Sequence, residues 1–405
     1  MSQNPGTDVL KAYHKKFHRE LYDNVLPFWL ENSLDEKHGG YFNCLDRKGS
    51  VYDTTKHVWL QGRQVWMLSK IHNVGHKPGK DSKYLRAATL GANFLREFAR
   101  TPEDRVYFSL TRQGRPHFMQ RKMFSECFYV MALAEYARAA KDKDAKKEAR
   151  ALFEKVKEYA KDSTLVGRPS YKGATNTITL AVPMILLNLI EELNDPGEDG
   201  YADLAKWCVG EIDKHVRPEL GLVLETVSPD GKLIDSPEGR LVNPGHAIEA
   251  GWFLMQYAIK TNDERLKEQA LQMIEWSYDF GRDREHGGIF YFLDSEGHSP
   301  VQLEWPMKLW WVHCESMVAF IMAYQLTGDA AWFKKFEDVT AYCFDRFKDP
   351  RFPEWFGYLD RRGDVSQNFK GGPYKGCFHV PRSLHLVEKT LAQLISGNTA
   401  TQGDA

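Results

Sequence analysis

Two hydrophobic patterns alternate along the chain. One is amphipathic and charged: "VLKAYHKKFHRELYDNVLPFWLEN", "DSKYLRAATLGANFLREFAR", "AKKEARALFEKVKEYAKD", "ADLAKWCVGEIDKHV", "RLKEQALQMIEWSYDFG" and "AWFKKFEDVTAYCFDRF". Each puts its apolar residues on one helical stripe, as in a helix that covers a core. The other is apolar nearly all round: "WLQGRQVWMLSKI", "FSECFYVMALAEYARAA", "TITLAVPMILLNLIEEL", "GHAIEAGWFLMQYAI", "KLWWVHCESMVAFIMAYQL" and "FHVPRSLHLVEKTLAQLI". Helices of that kind are buried. Six of each kind alternate.

Between them recur short stretches in which apolar and polar residues alternate before a glycine turn. They are "GGYFNCLDRKGSVYD" from Gly39, "VYFSLTRQGRP" from Val106, "GLVLETVSPDGKLID" from Gly221, "GGIFYFLDSEGHSP" from Gly287 and "WFGYLDRRGDV" from Trp355. Each predicts a hairpin. The spacing is roughly 65 residues, the period of a repeat architecture, with one long gap in which "GRPSYKGATN" near Tyr171 is a degenerate candidate. Two concentric rings satisfy this pattern. Apolar helices line the inside, amphipathic ones cover them, and hairpins crowd one rim. The fold class expected is therefore all-α, an (α/α)6 barrel of twelve helices with short β-hairpins on one rim. An open solenoid of helix pairs is the alternative, but the terminal pairs carry no polar capping face. No linker divides the chain, so residues 1–396 read as one domain and 397–405 as a disordered polar tail.

Composition narrows the function. The 405 residues carry a net charge of -1 with 27% charged residues, which gives no basic footprint for nucleic acid and no polybasic membrane patch. Neither a signal peptide nor a membrane span is evident in the sequence. The six cysteines are scattered without a CxxC pair, so reduced thiols, a cytoplasmic location and no metal site are expected. The 11 tryptophans suit a core, and equally a cleft in which rings stack on sugars.

Candidate chemistry sits on the apolar helices. Glu304, Lys308, Trp311 and Glu315 fall at i, i+4, i+7 and i+11, one stripe that faces either solvent or a polar cavity. Trp59, Arg63 and Trp66 share a face. There the arginine either stacks on the rings or points a cation at a substrate oxygen. In "NPGHAIEAGW", Asn243 is an N-cap and Pro244 fits the first helical position. His246 then lies in the first turn with Glu249 at i+3. Pro381 in "FHVPR" starts the last apolar helix in the same way, placing His379 at its start and Arg382 beyond. Two histidines facing one another across the mouth would suit a proton-moving enzyme. Paired carboxylates among Glu249, Glu304 and Glu315 leave acid–base glycoside hydrolysis open. The glycine segment from Lys370 to Gly376 lacks the P-loop pattern.

The motifs "NPGHAIEAGWF", "QLEWPMKLWWVHCES", "EWFGYLDRRG" and "KGGPYKGCFHVPR" resemble the N-acetylglucosamine 2-epimerase family, whose animal members are also called renin-binding protein. The likeness runs over almost the whole chain. It implies an (α/α)6 barrel and reversible conversion of N-acetyl-D-glucosamine to N-acetyl-D-mannosamine, in amino-sugar and sialic acid metabolism. An aldose–ketose isomerase or a cellobiose-type 2-epimerase is the alternative on the same barrel, and a renin-binding protein is the non-enzymatic alternative. The resemblance also implies a homodimer, with ATP or another nucleotide as activator and no cofactor consumed. Its catalytic histidines match His246 and His379, its glutamate Glu315 and its arginine Arg63. Trp59, Glu249, Glu304, Lys308, Trp311 and Arg382 are the substrate-binding candidates. Lys370, Gly371, Gly372, Lys375 and Gly376 match a stretch proposed to bind nucleotide, and Cys377 a cysteine reported as important. Renin binding is ascribed to a leucine zipper in the family. Here the heptad Leu180, Leu187 breaks at Asn194.

Overall fold

The inner helices are α3 (Val58–Val74), α5 (Phe124–Ala140), α7 (Ala181–Leu193), α9 (Pro244–Thr261), α11 (Trp310–Thr327) and α13 (His379–Ile395). The outer ones are α4 (Lys83–Phe98), α6 (Lys143–Lys161), α8 (Ala202–Asp213), α10 (Glu264–Gly281) and α12 (Ala330–Tyr342). The sixth outer rod is α1 (Thr7–Arg19), which runs through a π-helical stretch, Glu20–Val25, into α2 (Leu26–Asn32). This computed structural model describes residues 4–75, 82–169, 171–195 and 197–397. The tail expected to be disordered lies, from residue 398, outside them.

Inner helices pack on one another in chain order, α3 on α5 through to α11 on α13. The ring closes where Phe378, just before α13, meets Trp66 of α3 with ring centroids 5.4 Å apart. Each outer helix lies on the inner helix that precedes it, α4 on α3 and so on to α12 on α11. By the same rule α13 needs a cover, and α1 supplies it. The first helix of the chain thus completes the last pair, which an open solenoid cannot do. The described helices form the expected (α/α)6 barrel, with Thr7–Asn32 counted as one rod. Leu180 and Leu187 are 1% and 4% exposed in its core, so α7 presents no zipper face.

The rim differs in detail from the expected hairpins. The runs from Gly39, Val106 and Trp355 close as hairpins: Cys44–Leu45 with Val51–Asp53, Ser109–Leu110 with Pro116–Phe118, and Tyr358–Leu359 with Val365–Gln367. Those from Gly221 and Gly287 do not pair with their own return segments, and the second run ends on Pro300. Proline has no N–H to give a ladder. Their strands pair instead with the strand that leads into the preceding inner helix: Thr226–Val227 with Ile178–Thr179, and Leu293–Asp294 with Leu241–Val242. Near Tyr171 the described residues form a turn without a strand.

Buried ion groups stitch the rim. The run "DEKHGG" places Asp35 on the Lys56 ammonium at 3.0 Å, and Lys56 also donates to the Gly39 carbonyl. Arg112 from the next unit shares the same carboxylate. The run "DREHGG" repeats this: Lys308 bonds Asp283 at 2.8 Å and the Gly287 carbonyl at 2.9 Å, with Arg361 on Asp283. Burial pushes the Asp283 carboxyl up, but Lys308 and two backbone N–H groups prevail and bring it to about 2. Lys308 is therefore a structural cation in a strand, not a member of a helical stripe. Helix α11 begins two residues after it, at Trp310.

A third group closes the ring. Lys370 and Lys375 are fully buried. Lys370 bonds Asp349 at 3.1 Å and the Glu354 carbonyl at 2.6 Å, while Lys375 bonds the Glu354 carboxylate at 2.9 Å. Glu354 also accepts from the Trp29 indole at 2.5 Å, which ties α2 to the segment before α13. Its backbone is left-handed, with φ 65°. Glu354→Ala is expected to leave the Lys375 ammonium and the Trp29 indole N–H without their carboxylate, while Lys370 keeps Asp349. Breaking a buried pair in this way costs about 3–5 kcal/mol, and urea unfolding would measure the loss.

Candidate active site

The inner helices and the rim enclose a cavity of about 840 Å³. Helix starts decide what faces it. The Asn243 side chain accepts from the His246 N–H at 3.2 Å, and Pro244 opens α9. A Cβ on Gly245 would come within 2.6 Å of Trp311, so only glycine lets this turn approach α11. On the last inner helix His379 is the first residue. His246 and His379 both line the cavity, and Trp311 stands between them at 5.3 and 5.9 Å between ring centroids.

Each histidine is held from behind by a carboxylate. Nδ1 of His379 lies 2.7 Å from Glu315 Oε1, and Nδ1 of His246 lies 3.0 Å from Glu225 Oε2. Such a bond fixes the tautomer and leaves Nε2 for the substrate. The two rings nonetheless differ in proton affinity. Burial pushes His246 down, but the Glu225 carboxylate, aided by Glu249, outweighs it and holds the ring above its usual value. Burial also pushes His379 down; there the Arg63 and Arg382 cations add to the effect, and the ring sits well below.

Arg382 explains why Glu315 does not charge His379. Its guanidinium reaches Glu315 at 2.7 Å and Glu249 at 2.5 Å. Burial opposes its charge, the two carboxylates prevail, and it is held above the ordinary arginine value. Glu315 is fully buried, and its second oxygen accepts from the Trp252 indole at 3.0 Å. It does not line the cavity; it orients His379 from below. Glu249, Glu315 and His379 converge closely enough to suggest a metal site, but the Arg382 guanidinium already satisfies both carboxylates there.

Arg63 lines the cavity with no carboxylate bonded to it among the described residues. Aromatic rings surround it: Trp59 at 4.5 Å, Phe128 at 4.1 Å and Phe378 at 4.8 Å from the guanidinium carbon. Its Nε is buried without a partner, and burial pushes the group down to about 9. The guanidinium both stacks on the rings and lines the cavity, so the two alternatives read from the sequence are compatible in one geometry. Trp66 faces away, against Phe378. Trp59, Glu249, Trp311 and Arg382 line the cavity, and Glu304 stands exposed on its rim.

Lys308 is not brought to the cavity. Nor are the residues of the glycine segment assembled as a phosphate cradle. Lys370 and Lys375 are spent on Asp349 and Glu354, and a Cβ on Gly371 would meet the Asn43 carbonyl at 2.3 Å. These residues do not fit a nucleotide. Cys377 is fully buried with its thiol pushed well up by that burial, which disfavours a thiolate. Glu225 escaped the sequence reading. Its signal was one acid inside the apolar run "LVLETV", where Leu222, Val223 and Leu224 are all buried.

Known proteins share this arrangement of helices and this sequence. Residues 40–380 match the family model of N-acylglucosamine 2-epimerase (GlcNAc 2-epimerase). The N-acylglucosamine 2-epimerase of Bos taurus is 45% identical over 396 residues, covering 96% of this chain and 93% of that one. The protein of that name from Homo sapiens is 43% identical, covering 96% and 92%. The solved cellobiose 2-epimerase of Spirochaeta thermophila superposes with a TM-score of 0.80 at 21% identity, covering 96% and 98%, which is a likeness of fold. With its match spanning most of the barrel, the chain belongs to the N-acylglucosamine 2-epimerase family and is an epimerase.

Proposed function

We propose that the protein interconverts N-acetyl-D-glucosamine and N-acetyl-D-mannosamine by moving a proton at C2. One observation carries this: two histidines of opposite proton affinity flank one cavity, each fixed by a carboxylate on Nδ1. The curated relatives of that name support the substrate. The C2 hydrogen is acidic only beside an aldehyde, so the ring opens first. His379, neutral, takes the C2 proton, and the electron pair moves to O1. Arg63 stabilises the enolate oxygen formed there. His246, protonated, then returns a proton to C2 on the opposite face. Each proton transfer contributes about a hundred- to ten-thousand-fold, and the arginine roughly a hundred- to thousandfold.

The setting implied by the family belongs to the same proposal: a cytoplasmic homodimer in amino-sugar and sialic acid metabolism, activated by a nucleotide. The buried free cysteines support a reducing compartment. Among the described residues no helix is long and apolar enough to cross a membrane. The nucleotide would bind elsewhere than on Lys370 and Lys375.

In deuterium oxide, N-acetylmannosamine formed from N-acetylglucosamine is expected to carry deuterium at C2 by NMR. A product labelled at C1, or a ketose, would establish an isomerase instead. The neutral–protonated pair sets the pH profile of kcat/KM. His379, lowered, stays a base well below pH 6.5, and His246, raised, stays an acid above it. The plateau should therefore span the ordinary histidine value. Glu225→Gln removes the carboxylate that raises His246, so the alkaline limb should move to lower pH. Glu315→Gln should lower kcat by about a hundredfold or more with KM little changed, since Glu315 acts through His379.

A further inference from the structure

Helix α7 brings no charge to the cavity. The rim and helices α9, α11 and α13 present carboxylates, guanidinium groups, imidazoles and tryptophans among apolar side chains such as Phe108, Met307 and Phe369. Helix α7 presents Ala181, Met184, Ile185 and Asn188. These fall at i, i+3, i+4 and i+7, a single stripe, with Phe128 of α5 beside it in the same cavity. The stripe is apolar until its last member. Asn188 is 7% exposed, and its Oδ1 is buried without a hydrogen-bond partner. Orphaned buried amides are costly and rare. Behind Asn188 lies a second cavity of about 290 Å³, at the far end of the barrel, which Asn188 and Phe253 also border. A leucine there would pack the floor between the two cavities at no polar cost. An asparagine at this position serves something other than packing.

The substrate has one group with a matching outline. An acetamido substituent carries a methyl group, which seeks an apolar wall, and an amide, which seeks a complementary amide. The α7 stripe sets apolar side chains directly beside an unpartnered amide, the pairing that an acetamido group requires. On the reading of the reaction given above, we propose that the α7 stripe is the acetamido subsite and that Asn188 is its specificity-determining residue. The methyl lies against Met184 and Ile185, and the Asn188 side chain pairs with the acetamide. The subsite would select 2-acylamino sugars over sugars bearing a 2-hydroxyl.

Open-chain alditols test this, because they occupy the site without reacting. Calorimetry would compare 2-acetamido-2-deoxyglucitol with glucitol on the wild-type protein, Asn188→Leu and Asn188→Asp. The wild type should prefer the acetamido alditol. Asn188→Leu should shrink that preference by about three- to tenfold, the range of one neutral hydrogen bond, while glucitol affinity stays the same. Asn188→Asp keeps the shape and exchanges the N–H donor for an ionisable oxygen, so it should also cost the acetamido alditol more than glucitol and serves if the leucine variant does not fold. Equal loss for both alditols, an unchanged preference, or a wild type without preference would overturn the assignment. Because binding is read apart from turnover, a wild type that prefers the acetamido alditol but converts no N-acetylglucosamine sinks the reaction and leaves the subsite standing.

Discussion

Two carboxylates stand buried in the throat of this barrel, Glu249 on α9 and Glu315 on α11, and one guanidinium from α13 answers both. An isolated carboxylate in such a place would be too costly to remain charged. Arg382 permits it, at 2.5 and 2.7 Å, and so draws three inner helices to one point. The rest of the site follows from that contact. Glu315, already neutralised by Arg382, can hold the His379 ring without raising its proton affinity. Arg63, with no carboxylate bonded to it, keeps its N–H groups for a substrate. The aromatic cage of Trp59, Phe128 and Phe378 holds it in place of a counter-ion.

Epimerisation requires opposite faces of one carbon to be reached by two groups in different protonation states. A ring of inner helices provides the two directions, since α9 and α13 flank α11 and present their first turns to the same space. Trp311 at the start of α11 separates the two imidazoles. The asymmetry comes from their neighbours, not from the helix ends. Both rings occupy first turns, where the helix dipole disfavours an imidazolium. Glu225, delivered by the bend between two rim strands, reverses that effect at His246. No comparable excess of negative charge reaches His379, which faces two arginines.

Much of this was legible in the residues. The alternation of amphipathic and apolar helices forces two layers, and the NPGH and FHVPR helix starts place two histidines at one mouth. The stripe through Glu304, Lys308, Trp311 and Glu315 was legible only in part. Helical spacing was extended back across "WPMKL", where the chain is a turn and a strand, and Lys308 fell off the face it was assigned to. The repeat held the correction: "DEKHGG" and "DREHGG" each precede a lysine at the same distance from an inner helix, and Lys56 has no place in a site. Gln61 and His313 repeat this agreement, each five residues after its lysine and each accepting from a backbone N–H of the loop, Tyr41 and Ile289. Glu225 was missed because its partner lies 21 residues away and nothing local announces the pair.

The segment "KGGPYKGCFHVPR" shows how one motif can hold two functions that sequence cannot separate. Its second half places the base; its first half is a strap. Lys375 and Lys370 bind it to Glu354 and Asp349, and Glu354 binds in turn to Trp29 of the first outer rod, so the loop before His379 is anchored to the seam at which the chain closes on itself. A phosphate could reach Lys375 only by displacing the Glu354 carboxylate, which pairs with no other cation among the described residues, in a fully buried place. Such an exchange would open the seam before it moved the histidine. The tie therefore acts as a fixed support, and its value is positional: a His379 ring carried on a rigid strap retains the orientation that a loose loop would lose.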